Sequence, residues 1–276
     1  MKIAVTGPNG RLASWLIAHH GCLPLECDIT DFDATRAAIR HLNPDVVINA
    51  AAYTDVDGAE VDRDKAILVN LRGAGNVRMA HTGYLVHIST TYIFDGNSNV
   101  PYRENDTPNP LSHYGFTKFG GEAAVLPELD EKGLIVRTIS LYGCGPKLDF
   151  TRVILGQLRA KKAIILPDML ISNPTYIPHL CKALMVAIDK GVTGYLNLGG
   201  TTAISRYQWA LEIAKVFRCS KTLIGPKTYA SGAALRPRNQ SMDLSRAKEL
   251  GIPLYSLRDG LKDLKKCLGK SSTSRL

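Results

Sequence analysis

The sequence predicts an α/β protein, a doubly wound parallel sheet with a smaller C-terminal lobe. Three observations lead there. Over the first half of the chain, short β-branched runs alternate with amphipathic stretches of roughly 10–20 residues, an order that gives parallel strands covered by helices on both faces. The first run leads straight into a glycine-containing turn that opens a helix. After Tyr142 the alternation loosens, where Gly143, Gly145 and Pro146 interrupt it.

In chain order, residues 2–6 (KIAVT) read as the first strand and 10–19 as a helix. Residues 23–27 form a short strand and 33–42 a helix, followed by a buried strand over 45–50 (DVVINA). The stretch 59–81 is largely helical, 84–90 (YLVHIST) is a strand, 112–126 a helix and 134–139 (LIVRTI) a strand. Beyond them, 164–166 and 195–198 are short strands and 205–217 is a helix. No internal repeat or low-complexity linker interrupts this order, and the last five residues (STSRL) are expected to be mobile.

A chain of 276 residues, 45% hydrophobic and 21% charged, is one large domain or two closely joined ones, with ample core. No apolar run approaches the ~20 residues that span a bilayer. The opening MKIAVTGPNG lacks the pattern of a signal peptide, so a cytoplasmic protein without a membrane partner is expected. The net charge of +9 is uneven: residues 1–205 carry nineteen basic and twenty acidic side chains, residues 206–276 fifteen and five. The basic quarter favours anionic ligands, or is simply a solvated face and tail. No zinc-finger spacing or aromatic-interleaved signature accompanies it, which argues against nucleic acid. The six cysteines form no CxxC pair and have no His pair at ligand spacing, so they are read as reduced and buried, with no metal site.

The turn after the first strand reads Thr6-Gly7-Pro8-Asn9-Gly10-Arg11-Leu12-Ala13. Gly7 permits a tight turn, Gly10 a close backbone approach to a diphosphate, and Ala13 close helix–strand packing. Amides at the helix N-terminus then face phosphates, so a dinucleotide is the expected ligand, held by Gly7, Asn9, Gly10, Arg11 and Leu12. Asp28 and Ile29, after the short second strand, are placed against the same cofactor. Asp28 and Glu26 are both candidates for the ribose, and Asp28 alternatively borders the adenine. Arg11 pairs with a 2′-phosphate or lies in solvent. NADPH is slightly preferred over NADH.

Tyr114-Gly115-Phe116-Thr117-Lys118 follows Ser112, a plausible N-cap, so Tyr114 and Lys118 fall on one helix face in successive turns. An ammonium beside a phenol lowers the phenol pKa, and the pair is expected to act in that way. Thr90 ends the strand YLVHIST, where a doubly wound sheet places its ligands, and its hydroxyl is positioned to hold a carbonyl oxygen. A spacing YxxxK by itself is usually an ordinary helix face. The third residue gives it weight.

Taken together, GPNGRLA, PDVVINAAAYTDVDGAE, the VN at 69–70, HISTTYIFDG, YRENDTPNPLSHYGFTKFGGE and VRTISLYG resemble the extended short-chain dehydrogenases/reductases. Within them the chain is most similar to the dTDP-4-dehydrorhamnose reductase family, densely over 1–143 and more thinly to about 243. The resemblance implies a Rossmann domain over 1–143 plus about 176–198, and a substrate-binding lobe over 144–175 and 199–276. It implies reduction by NADPH or NADH of the 4-keto group of a nucleotide-linked 4-keto-6-deoxy sugar. Tyr114 would protonate the alkoxide, Lys118 would tune Tyr114 and bind ribose, and Thr90 would orient the ketone. Ala50, Ala51 and Ala52 would pass close to the dinucleotide and Asn70 would lie on its side of the sheet. Tyr53, Thr91, Leu141 and Arg236 would meet the substrate, a nucleotide-diphosphate sugar, and a homodimer is possible within the family.

Several departures stand out. Ser89-Thr90-Thr91-Tyr92 lacks the family's Asp beside the catalytic Thr, and Leu141 stands where a Trp is usual. Ser172-Asn173-Pro174-Thr175 replaces a G-x-P-T element, and the second-strand region is about ten residues short. Two rival readings follow. One is a nucleotide-sugar epimerase or dehydratase. The other is a non-catalytic dinucleotide-binding regulatory subunit, like the relative that binds a methionine adenosyltransferase.

Overall fold

The computed structural model describes residues 1–126, 129–145, 147–228 and 232–273. The central feature is a six-stranded sheet in which every pairing is parallel. Its strands are β1 (Ile3–Thr6), β2 (Leu23–Leu25), β3 (Val46–Asn49), β4 (Tyr84–Thr90), β5 (Gly133–Thr138) and, much later, β10 (Gly194–Asn197). Their spatial order is β10-β5-β4-β3-β1-β2. The chain moves outward from β1 to β2, then returns to the other side of β1 with β3. This reversal opens a crevice beyond the carboxyl ends of β1 and β3, where such sheets bind ligands.

Alternate residues of the strands serve opposite faces. Ile3, Val5, Ile48, Val86, Leu134 and Val136 pack on α1 (Arg11–His20) and α9 (Ile177–Asp189). Val47, Leu85 and Ile135 pack on α5 (Gly73–Ala80) and α6 (His113–Val125). Both faces are covered, so the strands read as continuous apolar runs. The helices begin and end where their sequences direct. Asp31 caps α2 (Phe32–Leu42) by accepting from Ala34 N at 3.0 Å, and left-handed Gly21 and Asn43 terminate α1 and α2.

The stretch 59–81 departs from one continuous helix. It is α3 (Gly58–Val61), α4 (Arg63–Ile67), a π-turn over Leu68–Arg72 and then α5. The break centres on Asn70, whose amide bonds Tyr53 N, Tyr53 O and Thr117 Oγ1. Satisfying those partners competes with the regular helical ladder.

After the short α7 (Leu129–Lys132) and β5, the chain leaves the sheet through β6 (Leu141–Tyr142), α8 (Phe150–Arg159), β7 (Ile164–Pro167), β8 (Ile171–Ser172) and β9 (Thr175–Tyr176). It returns with α9 and β10, then continues as β11 (Ile204–Ser205), α10 (Arg206–Phe217), β12 (Ile224–Lys227), α11 (Ser245–Glu249) and α12 (Leu257–Thr273). A separate core around Tyr142, Leu155, Trp209, Ile213 and Leu261 unites α8, α10 and α12. Helices α8, α9 and α12 fall outside the elements read from the sequence. In α9 nine of thirteen residues are buried, so the apolar face is too broad to leave a clean stripe.

Cys144 and Cys267 are joined by a disulfide, whereas all six cysteines are expected reduced from their spacing; Cys22, Cys27, Cys181 and Cys219 are free. The pairing links residues 123 apart in sequence, so spacing gives no sign of it. Residues 274–276 of the expected mobile tail lie outside the described residues. No helix among the described residues is long and apolar enough to cross a membrane.

Candidate active site

A cleft of about 1010 Å³ runs from the first βα turn to the C-terminal lobe. Its floor is built by the sheet reversal. Gly7 has φ +64, and a Cβ there would stand 2.9 Å from Ala51 Cα, so the turn closes on the β3 exit only with glycine. Gly10 caps α1 with ordinary extended backbone (φ −74) and leaves the first helical amides open to the cleft. Thr6 Oγ1 accepts from Ala50 N at 3.1 Å and Ala51 N at 3.0 Å, which locks the two turns together. Asn9, Arg11, Leu12, Asp28, Ile29 and Ala52 line the same end. Thr30 N and Oγ1 both donate to Asp28 Oδ1, which holds its carboxyl below the usual carboxylate range.

This end fits a dinucleotide: a concave backbone cradle that a single Cβ would fill, open amides of a ten-residue helix, and length to reach the far wall. Among the described residues no group of three or more His, Cys, Asp or Glu is placed to hold a metal ion.

The middle of the cleft carries Thr90, Tyr114 and Lys118. Ser112 Oγ accepts from Gly115 N at 3.1 Å and starts α6, so Tyr114 and Lys118 share one face. A Cβ on Gly115 would meet Tyr92 O at 2.2 Å, and its absence lets the helix press onto the turn that follows β4. Tyr92 meets Tyr114 edge-on with ring centroids 5.4 Å apart. Thr90 Oγ1 accepts from Tyr92 N at 3.3 Å and shares a hydrogen bond with the Tyr114 phenol.

The electrostatics differ from the expected depression of the phenol pKa. Burial pushes Tyr114 well above its ordinary range, with Tyr92 adding to the rise and Thr90 opposing it. Lys118 does not offset this, because its Nζ donates to Ile88 O at 2.8 Å and stands 3.5 Å from His87 Nε2. Burial lowers Lys118 to about 8, opposed by Glu122. Behind it lies a buried ion pair, Arg137 Nη2 to Glu122 Oε2 at 2.8 Å and Nε to Oε1 at 3.0 Å, with Ser89 Oγ donating to the same carboxylate.

Four residues expected at the ligand fall outside the cleft lining. Thr91 is fully buried in the 3-10 turn, facing away from the cleft lining, because the turn ends the inward–outward alternation of β4. Asn70 is an interior clamp on Tyr53 and Thr117, and Tyr53 itself lies outside the lining, its backbone held by that clamp. Arg236 is engaged: its Nη2 meets Asp57 Oδ2 at 2.6 Å and Nη1 meets Oδ1 at 3.1 Å, with Tyr92 also hydrogen-bonded. Leu141 does line the cleft.

The far wall holds residues to which the sequence reading gave no role. Arg206, first residue of α10, lies over the Phe150 ring at 4.8 Å from the centroid and lines the cleft. Burial and Arg236 both lower its pKa, and no carboxylate pairs with it among the described residues. Gln240 is buried against the cleft with Oε1 unpartnered, and Ser140 and Ser172 join there at 2.9 Å. The only signal for Arg206 is its place after the Ser205–Gln208 capping box, which marks a helix start and not a site.

Comparison with known proteins gives a consistent result. Residues 1–269 match the family model described as the RmlD substrate binding domain. A dTDP-4-dehydrorhamnose reductase of Mycolicibacterium smegmatis is 33% identical over 278 residues, covering 95% of this chain and 84% of the relative. A dTDP-4-keto-6-deoxy-D-glucose reductase of Streptomyces niveus is 32% identical over 235 residues, covering 82% and 80%. Among solved structures, the dTDP-4-dehydrorhamnose reductase of Bacillus anthracis in complex with NADP superposes with a TM-score of 0.89 at 29% identity, over 96% of this chain and 99% of that one.

Proposed function

The chain belongs to the RmlD substrate-binding-domain family, and on that premise we propose that it is an NAD(P)H-dependent reductase of the 4-keto group of a nucleotide-linked 4-keto-6-deoxy sugar, as in formation of dTDP-L-rhamnose or an analogue. The observation that carries the proposal is the meeting of Thr90, Tyr114 and Lys118 midway along a cleft that begins at the Gly7 turn. In this reading residues 1–143 and about 176–198 hold the dinucleotide, and 144–175 with 199–276 hold the sugar nucleotide.

When bound, a reduced nicotinamide supplies hydride to the carbonyl carbon. The protein must then hold the carbonyl oxygen and deliver a proton to it. Thr90, at the end of β4, offers a hydroxyl to that oxygen. Tyr114 is the acid, and reduction needs the phenol protonated before the oxygen gains charge. The raised pKa that burial gives Tyr114 keeps it so. Lys118, one turn along the same helix face, holds the ribose side of the dinucleotide. Gly7, Asn9, Gly10, Arg11, Leu12 and the 50–52 turn cradle the dinucleotide, with Arg11 favouring a 2′-phosphate. Arg206, stacked on Phe150 and free of a carboxylate, takes the diphosphate of the sugar nucleotide, a role that Asp57 denies to Arg236. A cytoplasmic location and a homodimer belong to the same proposal, to be tested by fractionation and light scattering.

An epimerase or dehydratase finds less support. An acidic side chain beside the catalytic Thr is typical of dehydratases, and here Thr91 stands there, turned inward. The deciding assay follows NADPH and NADH absorbance with dTDP-4-keto-6-deoxyglucose, with and without a separate 3,5-epimerase. Oxidation that requires the epimerase supports the 4-reductase. Saturable dinucleotide binding without oxidation points to the regulatory-subunit reading.

A further inference from the structure

A line of four buried polar side chains runs from the cofactor end of the cleft to Lys118, and its hydrogen-bond directions can be worked out. Thr6, Asn49, His87 and Lys118 are each at most 2% exposed. Thr6 Oγ1 accepts from the backbone amides of Ala50 and Ala51, which can only donate. Both lone pairs are then in use, so the Thr6 hydroxyl must donate to its third partner at 2.8 Å, and that atom is Asn49 Oδ1. The other end of the Asn49 amide is therefore Nδ2, which lies 3.2 Å from His87 Nδ1 and donates to it. A neutral imidazole that accepts at Nδ1 carries its proton on Nε2. An imidazolium is excluded, because it would set donor against donor at Asn49. The Nε2–H points at Lys118 Nζ, 3.5 Å away, while Nζ donates to Ile88 O.

We propose that His87 is a positioning residue for Lys118: its fixed Nε2–H faces the lysine nitrogen and adds to burial in disfavouring the ammonium. Any use of that proton in turnover rests on the reductase reading; the effect of His87 on Lys118 does not. The other ionisable groups near Lys118 are Tyr114 and Glu122 on its own helix, and Arg137 of β5, which is engaged with Glu122. Elements α3 and the turn after β4 present Glu60 to His113 and Tyr92 to Tyr114. Burial and Lys118 both lower the His87 pKa, which agrees with a neutral ring.

The test is a titration of the protein labelled with lysine carrying 13C at Cε, the Lys118 resonance being assigned by its loss in Lys118→Met. The key variant is His87→Asn, which keeps an acceptor for Asn49 Nδ2 and removes the donor facing Lys118. The wild-type signal is expected to titrate near pH 8, and that of His87→Asn higher by about one unit or more. An unmoved titration in a folded His87→Asn protein overturns the proposal. If His87→Asn fails to fold, Asn49→Leu serves: it removes the donor facing Nδ1 without adding a charge, so the imidazole proton can move to Nδ1, Nε2 becomes an acceptor for Lys118 Nζ, and the Lys118 midpoint must again rise. Neither measurement uses turnover, so an absence of sugar reduction would count against the reductase reading and leave the His87 result intact. Where turnover is present, the pH profile of kcat/KM must shift with the resonance; a uniform loss at all pH values marks a merely structural role.

Discussion

Arg137→Met should be among the most damaging single substitutions in this chain, although it leaves the cleft lining untouched. The Arg137 and Glu122 side chains are 3% and 0% exposed and meet through two parallel hydrogen bonds of 3.0 and 2.8 Å. The guanidinium also donates to Glu104 O at 2.7 Å and lies over the rings of Tyr195 (4.4 Å) and Phe94 (5.3 Å). Removing it strands a carboxylate away from water with one Ser hydroxyl for company, a change that costs about 3–5 kcal/mol in buried pairs. For a chain of this size each kcal/mol moves Tm by about 2–4 °C, so a fall of roughly 6–20 °C is expected. The assay is thermal unfolding by circular dichroism, with denaturant midpoints as a check. The double variant Glu122→Leu/Arg137→Met should recover much of the loss, since two apolar groups need no partner. A loss below about 1 kcal/mol for Arg137→Met, or a double variant no more stable than the single one, would show that the pair does not hold the structure as argued.

Four further outcomes are expected. Tyr114→Phe should lower kcat by about 10²–10⁴-fold while dinucleotide binding, followed by fluorescence quenching, is retained; full turnover in this variant would refute the proton-donor role. Arg206→Ala should weaken binding of dTDP by about tenfold or more and leave thymidine and NADPH binding unchanged in calorimetry. Lys118 has a folded pKa lowered from 10.5 to about 8, so between those values the unfolded chain binds the extra proton and the wild type gains stability as pH rises; Lys118→Met should therefore be most favoured over wild type below pH 8, with the difference shrinking toward pH 10.5 in parallel urea titrations. Unfolding without reductant should expose four titratable thiols, and prior reduction should expose six.

The sheet and the helices of its first half were legible because their signals are local, whereas α9 was not. Strand runs, the Ser112 cap and the Gly7 turn each depend on neighbours within a few residues, and the alternation of Ile3, Val5 with Ala4 is visible in print. The Tyr114–Lys118 spacing likewise places both on one helix face. What it cannot convey is that Nζ turns to Ile88 O, since that acceptor comes from β4. Arg236 and Asp57 lie 179 residues apart, and nothing near either one tells that the arginine is engaged. Arg206 gains its place only because α8 brings Phe150 beneath it. Asn70 breaks a helix for partners on two other segments. The misplaced residues are those whose surroundings are assembled from distant parts of the chain.

The position of β10 carries a consequence for synthesis. It pairs with β5 in the register Gly194 to Leu134, so sixty residues emerge between one edge of the sheet and the strand that covers it. At about 5–20 residues per second, a ribosome would leave β5 bare for roughly 3–12 s, while the intervening lobe is still being made. An uncovered parallel edge of Leu, Ile and Val is a template for pairing with another nascent chain. Chains released early, before residue 194, would keep that edge open permanently, and they are the fragments that chaperones should be found holding.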